Sequence, residues 1–247
     1  MKLLDLTFPS PAENLACDEA LLDGCETGQA EEVLRFWEPP EYFIVVGYGN
    51  KHCTETNLAA CKTKGIPIYR RCSGGGTVLQ GPGCLNYTLV LKITADGPLR
   101  TIASANRFIM ERNRTAIETL LSKSAARDPG RPIVVRGHTD LCLGDLKFSG
   151  NSQRRRKKFL LYHGTFLLNL DLALVSELLP MPSRQPDYRE HRGHADFLIN
   201  LGIPASAVKD AVQAMWQAER PLGIVPHNEI ARLAHEKYNS EEWNLKF

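Results

Sequence analysis

The sequence contains no apolar run long enough to cross a membrane, which excludes a spanning helix. Its first residues, MKLLDLTFPSPAEN, have neither the apolar core nor the small-residue cleavage site of a secretory leader, so a cytoplasmic location is expected. Charge of one sign is missing too. Among 247 residues, 30 Lys and Arg against 28 Asp and Glu leave +2, too little to draw the protein to nucleic acid or to a membrane surface. The seven cysteines, at 17, 25, 53, 61, 72, 84 and 142, include no C-x-x-C pair. That spacing fits neither a disulfide framework nor a zinc ribbon, and reduced thiols are expected. His191 and His194 share a loop with no third ligand, so no metal site is expected there. Repeats, low-complexity tracts and linkers are absent, which leaves one domain over 1–247.

What is present is an ordinary core-forming composition, 43% hydrophobic and 23% charged. Ser10-Pro11-Ala12-Glu13 reads as a capping box with proline at the first helical position, opening a helix through Leu22. Strands are predicted over 33–37, 42–46, 66–71 and 86–93, the last with Tyr87, Leu89 and Leu91 on one face. A long amphipathic helix spans 100–122, with Ile102, Ala105, Ile109, Ala116 and Leu120 at helical spacing. Short strands over 133–136 and 140–143 lead to a two-residue turn, Gly144-Asp145, with a return strand over 146–152 and another over 159–168. Helices are expected over 172–179, 205–218 and 228–238, with loop between 180 and 204. Strands in consecutive runs and hairpins, with helices between the groups, indicate an α+β fold rather than a doubly wound parallel sheet.

The most unusual stretch is RRCSGGGTV, residues 70–78. It matches neither G-x-x-x-x-G-K-[ST] nor G-x-G-x-x-G. Three adjacent glycines let a backbone lie against a ligand, and their N–H groups can form an anion nest beside Arg70 or Arg71. The alternative is a glycine-rich bend with solvated arginines. The densest basic run, Arg154 to Lys158, reads as a solvated hairpin tip, or as a steering surface for an acidic carrier domain. Lacking interleaved aromatics, it does not read as a nucleic-acid patch.

RRCSGGGTV resembles the signature of the lipoate–protein ligase A family, and five further stretches extend the resemblance. PAENLACDEALL is similar to the family's first helix, GYGN (47–50) to its ligand-facing turn, and HTDLCLGDLKFSGNSQ to its lysine-bearing segment. YHGTFLLNLDL resembles its H-G-T strand, and EEWN its closing tryptophan, so the match covers residues 10–244. The resemblance implies the α+β fold of biotin–lipoate ligase and class II aminoacyl-tRNA synthetase catalytic cores, with a mixed, largely antiparallel sheet. It implies an ATP- and Mg2+-dependent ligase that turns lipoate or octanoate into acyl-AMP and transfers the acyl group to a carrier lysine. The carrier would be the glycine-cleavage H protein or a 2-oxoacid dehydrogenase acyltransferase subunit.

Carried onto this sequence, Lys147 becomes the catalytic residue, its ammonium placed between acyl carbonyl and phosphate. Read alone, a lysine just after a hairpin turn is usually solvated, but Ser149 and Gly150 leave room for a ligand. Arg70, Arg71, Ser73, Gly74, Gly75, Gly76, Thr77, Val78, Leu79 and Asp140 are expected to join Lys147 around ATP or acyl-AMP. Arg70 could equally stabilise the fold, and Asp140 could cap a hairpin. Lipoate is expected against Gly75, Gly76, Lys147, Ser149, Gly150, His163 and Gly164, with His163 orienting the acyl chain or the loop, or serving as a core histidine.

Two departures bear on nucleotide binding: Thr139 stands where the family usually has asparagine, and Gln80-Gly81 replaces a common histidine–aspartate pair. The sequence ends just past Trp243-Asn244, where two-domain ligases continue, so a separate accessory subunit is one expectation. The alternative function is an ATP-independent octanoyl or lipoyl transferase working through a cysteine thioester. The two places where related transferases carry that cysteine read Pro180-Met181-Pro182 and Pro132. Cys142 is expected to be buried between Leu141 and Leu143. Cys72 and Cys84 flank the glycine loop, and a thiolate near Arg71 and Lys147 would have a lowered pKa.

Overall fold

A computed structural model describes residues 1–122 and 131–247. Eleven strands are present among them: β1 Lys2–Asp5, β2 Val33–Trp37, β3 Phe43–Val46, β4 Ile68–Arg70, β5 Val78–Gln80, β6 Cys84–Lys92, β7 Ile133–Arg136, β8 Asp140–Leu143, β9 Leu146–Arg155, β10 Phe159–Leu167 and β11 Arg220–Pro221. The helices that matter below are α1 Pro11–Glu26, α2 His52–Glu55, α3 Leu58–Lys64, α4 Ile102–Ser122, α5 Leu172–Leu178, α6 His194–Phe197, α7 Ala205–Trp216 and α8 His227–Leu233. Eight strands form one sheet in the order β11-β1-β2-β6-β10-β9-β8-β7, and β4-β3-β5 form a second. The large sheet is antiparallel from β2 to β7, with β1 parallel to both its neighbours. The expected α+β architecture with a mixed, largely antiparallel sheet is present, and among the described residues no helix is long and apolar enough to cross a membrane.

Both faces of the central strands are covered, which is why β2 reads VLRFW rather than as an alternating pattern. Leu34 and Phe36 join Tyr87, Leu89 and Leu91 of β6 under α4 and α7, with Ile109, Ile117, Val212 and Trp216 closing that core. Val33 and Trp37 point the other way, with Val90 and Leu161, into a core made with Leu15 and Leu21 of α1 and Ile230 of α8. A third cluster packs Ile44, Val46 and Leu79 of the small sheet against Val175 and Leu178 of α5.

Local signals worked where chemistry and position coincide. Ser10 caps α1, its hydroxyl accepting from the Glu13 N–H while the Glu13 carboxylate accepts from the Ser10 N–H. Gly144 turns the β8–β9 hairpin at φ +62°. Other expectations shift. The strand predicted over 66–71 is only Ile68–Arg70, and the chain returns as β5 before β6, an element the sequence did not signal. The 180–204 loop carries a 3-10 turn at Asp187–Arg189 and the short α6. β1, β11, α2 and α3 were also unforeseen. β1 and β11 are four and two residues long, too short for a periodicity to appear.

The basic run is not a loosely solvated tip. Arg155 donates to the Leu99 and Arg100 carbonyls, Arg156 pairs with Asp23 at 2.8 Å, and the Glu26 carboxylate accepts from the N–H groups of Lys157, Lys158 and Phe159. Only Lys157 and Lys158 stay plainly exposed without anchoring the turn through their side chains.

Replacing Ser10 by alanine removes the capping box and should destabilise the protein by about 1 kcal/mol in urea unfolding, with an unchanged urea dependence.

Candidate active site

Asp18, on α1, faces three adjacent strands at one register level. Arg35, Thr88 and His163 are direct cross-strand neighbours on β2, β6 and β10. Asp18 Oδ1 accepts from Arg35 at 2.7 Å and from the Thr88 hydroxyl at 2.8 Å, while Oδ2 meets His163 Nδ1 at 2.9 Å. Burial disfavours the Asp18 charge, but His163 and Arg35 outweigh it and hold the carboxyl below its ordinary value. His163 Nε2 meets the Ser73 hydroxyl at 2.5 Å. Ser73 Oγ in turn accepts from Arg71 Nε at 3.1 Å. A line of hydrogen bonds thus runs from the first helix, through the H-G-T strand, to the glycine loop.

Arg71 then shapes that loop. Its guanidinium donates to the carbonyls of Gly74 (2.7 Å) and Gly76 (2.6 Å), and to that of Val45 at 3.4 Å. Gly75, at φ +87°, provides the left-handed turn between them, and a Cβ there would come within 2.9 Å of the guanidinium. Carbonyls drawn inward leave the N–H groups of Gly74, Gly75 and Gly76 without a partner among the described residues, on an exposed stretch of chain. These are the N–H groups from which the expected anion nest would be built, and Arg71 holds the carbonyls around them. In this arrangement the guanidinium's donors are engaged by protein carbonyls and the Ser73 hydroxyl. Burial lowers its pKa to about 10, so it stays charged near neutral pH.

The loop rims a cavity of about 890 Å³. Of the residues expected in the site, Arg71, Gly75, Gly76, Thr77, Val78, Asp140, Lys147, Gly150, His163 and Gly164 line it. Arg70, Ser73, Gly74, Leu79 and Ser149 do not. Arg70 is completely buried, donating to the carbonyls of Gly47, Tyr48, Asn50, Trp243 and Asn244, so it ties the C-terminal segment to the GYGN turn. Leu79 and Ser149 are likewise buried, Leu79 in the small-sheet core. Ser73 acts behind the surface, through His163 and Arg71.

Lys147 lies on β9, its side chain a quarter exposed and its ammonium 2.8 Å from Asp140 Oδ1. A Cβ at Gly150 would sit 2.9 Å from that ammonium, and one at Gly164 would strike the Asn151 carboxamide. The small residues therefore clear space for Lys147 and for Asn151, which donates to the Thr139 carbonyl at 2.7 Å. Gly81, one of the family departures, leaves room for the Tyr42 ring, which a Cβ would meet at 2.2 Å. Gln80 is held by Thr165 and Asn86.

The opposite wall was missed by sequence reasoning. It comes from Val135–Thr139 and from residues 179–197, adding Arg136, His138, Arg184, Tyr188 and His194. Their sequence signal is weak, because beyond the end of β7 the wall is loop and single turns with no periodicity. His194 Nε2 donates to the Pro180 carbonyl at 3.2 Å, and burial lowers its pKa. Among the described residues no three His, Cys, Asp or Glu side chains group as metal ligands.

None of the seven cysteines lines the cavity. Burial pushes the Cys72 and Cys84 thiols up to about 12 and Cys142 up to about 11. The lowered pKa expected for a thiol near Arg71 and Lys147 is thus reversed, since desolvation outweighs the nearby cations. Pro180 and Pro182, where one transferase branch has its thiol, do line the cavity, and Pro132 does not.

A family model described as the lipoyl protein ligase A/B catalytic domain matches residues 10–214. The chain belongs to this family. It is 28% identical to octanoyltransferase LipM of Geobacillus kaustophilus, over 99% of this chain and 98% of that protein. It is also 28% identical to a lipoate-protein ligase A assigned in Mycoplasma pneumoniae, over 99% of this chain and 72% of that protein. Among solved structures, lipoate-protein ligase A bound with ATP superposes with a TM-score of 0.77 at 26% identity, covering 99% of this chain and 98% of that one. A bi-partite lipoate protein ligase of Thermoplasma acidophilum, solved in a study that includes its E2 lipoyl domain, gives 0.79 at 22%, covering 99% and 95%, and shows the shared fold. The cavity of this family member is therefore an enzyme's candidate active site.

Two outcomes follow. A thiol-reactive dye at neutral pH should label Cys53 alone in the native protein and all seven cysteines after denaturation, because Cys53 is the only exposed one. Asp18→Asn strands the buried Arg35 charge and should cost roughly 3–5 kcal/mol near neutral pH. Asp18 is depressed below its ordinary 3.8, so its contribution is present above that pH and lost as acid protonates it. The gap between wild type and Asp18→Asn in urea unfolding should narrow at strongly acidic pH.

Proposed function

We propose that the protein joins a lipoyl or octanoyl group to the amine of a lysine on a lipoyl carrier domain, with Lys147 as the catalytic residue. The observation that carries this reading is the Lys147 ammonium, held by Asp140 in the same cavity that Gly75 and Gly76 of the glycine loop line. A cation there stabilises charge developing on the acyl carbonyl as the amine attacks and the leaving group departs. The glycine N–H groups suit an anionic leaving group, and the apolar side of the cavity, with Leu15, Trp37, Val45 and Val78, suits a medium-length acyl chain.

Two routes can supply the activated acyl group. The relatives named octanoyltransferase, matched over nearly their whole length, favour ATP-independent transfer over the ATP-dependent ligation expected from the sequence. In that route a thioester donor gives its acyl group to the amine and releases a thiol. A relay through a protein thioester would need one of the buried cysteines to reach the cavity. What supports ligation is the superposition on the ATP-bound ligase, together with Arg136, His138 and Arg184 on the far wall, suited to phosphates. ATP would then be a substrate. Mg2+, which binds through one or two carboxylates and the substrate's phosphates, would find Asp187 on that wall. A small accessory subunit belongs to this route alone. On either route the carrier would be the glycine-cleavage H protein or a 2-oxoacid dehydrogenase acyltransferase subunit.

The purified protein would be given either ATP plus lipoate or an octanoyl thioester of acyl carrier protein, each with a lipoyl carrier domain. Product is read as mass gain on the carrier lysine. Acylation with one donor but not the other selects the route, and pyrophosphate release marks ligation. Lys147→Ala should lower the productive rate by about a hundredfold or more. Full activity in that variant would remove Lys147 from the reaction.

A further inference from the structure

The Asp140 carboxylate has two partners from opposite sides of the cavity. Oδ1 meets the Lys147 ammonium at 2.8 Å, and Oδ2 accepts from the Tyr188 hydroxyl at 2.7 Å. Tyr188 belongs to the 3-10 turn Asp187–Arg189 on the far wall, not to the sheet. Its ring packs 5.3 Å from Phe197, and its carbonyl accepts from Arg192 at 2.9 Å. Arg192 also donates to the Asp145 carbonyl in the β8–β9 turn, which fastens the wall to the hairpin that carries Lys147. Burial and the Asp140 charge push the Tyr188 hydroxyl up in pKa, so it remains a donor across the physiological range.

A lysine ammonium rides on a flexible four-carbon stem, and a carboxylate held by one oxygen can still turn about its own axis. Tying both oxygens removes that freedom. We propose that Tyr188 is a positioning residue: by holding the second oxygen of Asp140 it fixes the plane of the carboxylate and, through it, the place of the Lys147 ammonium. The far wall and the reacting lysine are thereby registered through one carboxylate. This deepens, and rests on, the reading in which Lys147 meets the acyl group.

Tyr188→Phe keeps the ring against Phe197 and removes only the hydroxyl. The turnover number for carrier acylation should fall about tenfold, as expected for losing a hydrogen bond to a charged group, while KM for the carrier changes less than about twofold. In an Asp140→Asn background the same change should lower turnover by less than about twofold, because the group Tyr188 acts through is already altered. Equal losses in both backgrounds, or no loss in either, would overturn the proposal. A readout independent of catalysis is the NMR resonance of Lys147 after reductive methylation with 13C-formaldehyde, assigned by its disappearance in Lys147→Arg. It should move in Tyr188→Phe, and an unmoved resonance would also overturn the proposal. If the wild type acylates no carrier, the functional reading fails, and the resonance alone decides whether Tyr188 positions Lys147.

Discussion

The arrangement turns on one buried carboxylate. Asp18 gathers hydrogen bonds from three neighbouring strands and projects from the first helix at the level where those strands meet the cavity. Leaving such a group buried and unpaired would cost several kcal/mol, so the helix, the strands and His163 have one mutual register that satisfies it. His163 carries that constraint to Ser73, and Arg71 carries it on to the glycine loop. The floor of the cavity and the packing of α1 on the sheet are consequently the same problem, solved once.

The two adjacent arginines show how little residue type alone says about role. Both were candidate ligand contacts, and both are buried and bonded to carbonyls. A guanidinium presents five donors in a fixed fork, which makes it suited to gathering loop carbonyls that lack other partners. Arg70 does this for the GYGN turn and the C-terminal segment. Arg71 does it for the glycines, and in doing so sets which way their dipoles face. An anion-binding nest would need its carbonyls occupied elsewhere, and the Arg71 guanidinium occupies those of Gly74 and Gly76.

The wall opposite is built on different principles. It has few elements long enough to show a period, and single interactions hold it: Tyr188 on Asp140, Arg192 on the β8–β9 turn, His194 on the Pro180 carbonyl. Thiol chemistry meets a physical obstacle in the same region. Cys142 lies on the strand beside Lys147, yet burial outweighs the nearby cation and keeps its thiol protonated. In this chain the cavity is lined by Arg71, Arg136, Lys147 and Arg184 and by none of the seven cysteines.

The sequence by itself determined the capping box of α1, the Gly144 hairpin, the long helix and the α+β arrangement, because each rests on local propensity or on a period that short-range sterics enforce. It also marked Lys147, Asp140, Gly150 and His163, since a family signature preserves residues at fixed spacing along single strands. Only the tertiary structure decided that Arg70 serves the fold, that Arg71 gathers the carbonyls of its own loop, and that Ser73 works through His163. The same holds for Asp18 and Tyr188. Their partners lie 145 and 48 residues away along the chain. Nothing local distinguishes a side chain that will meet such a partner from one that will meet water.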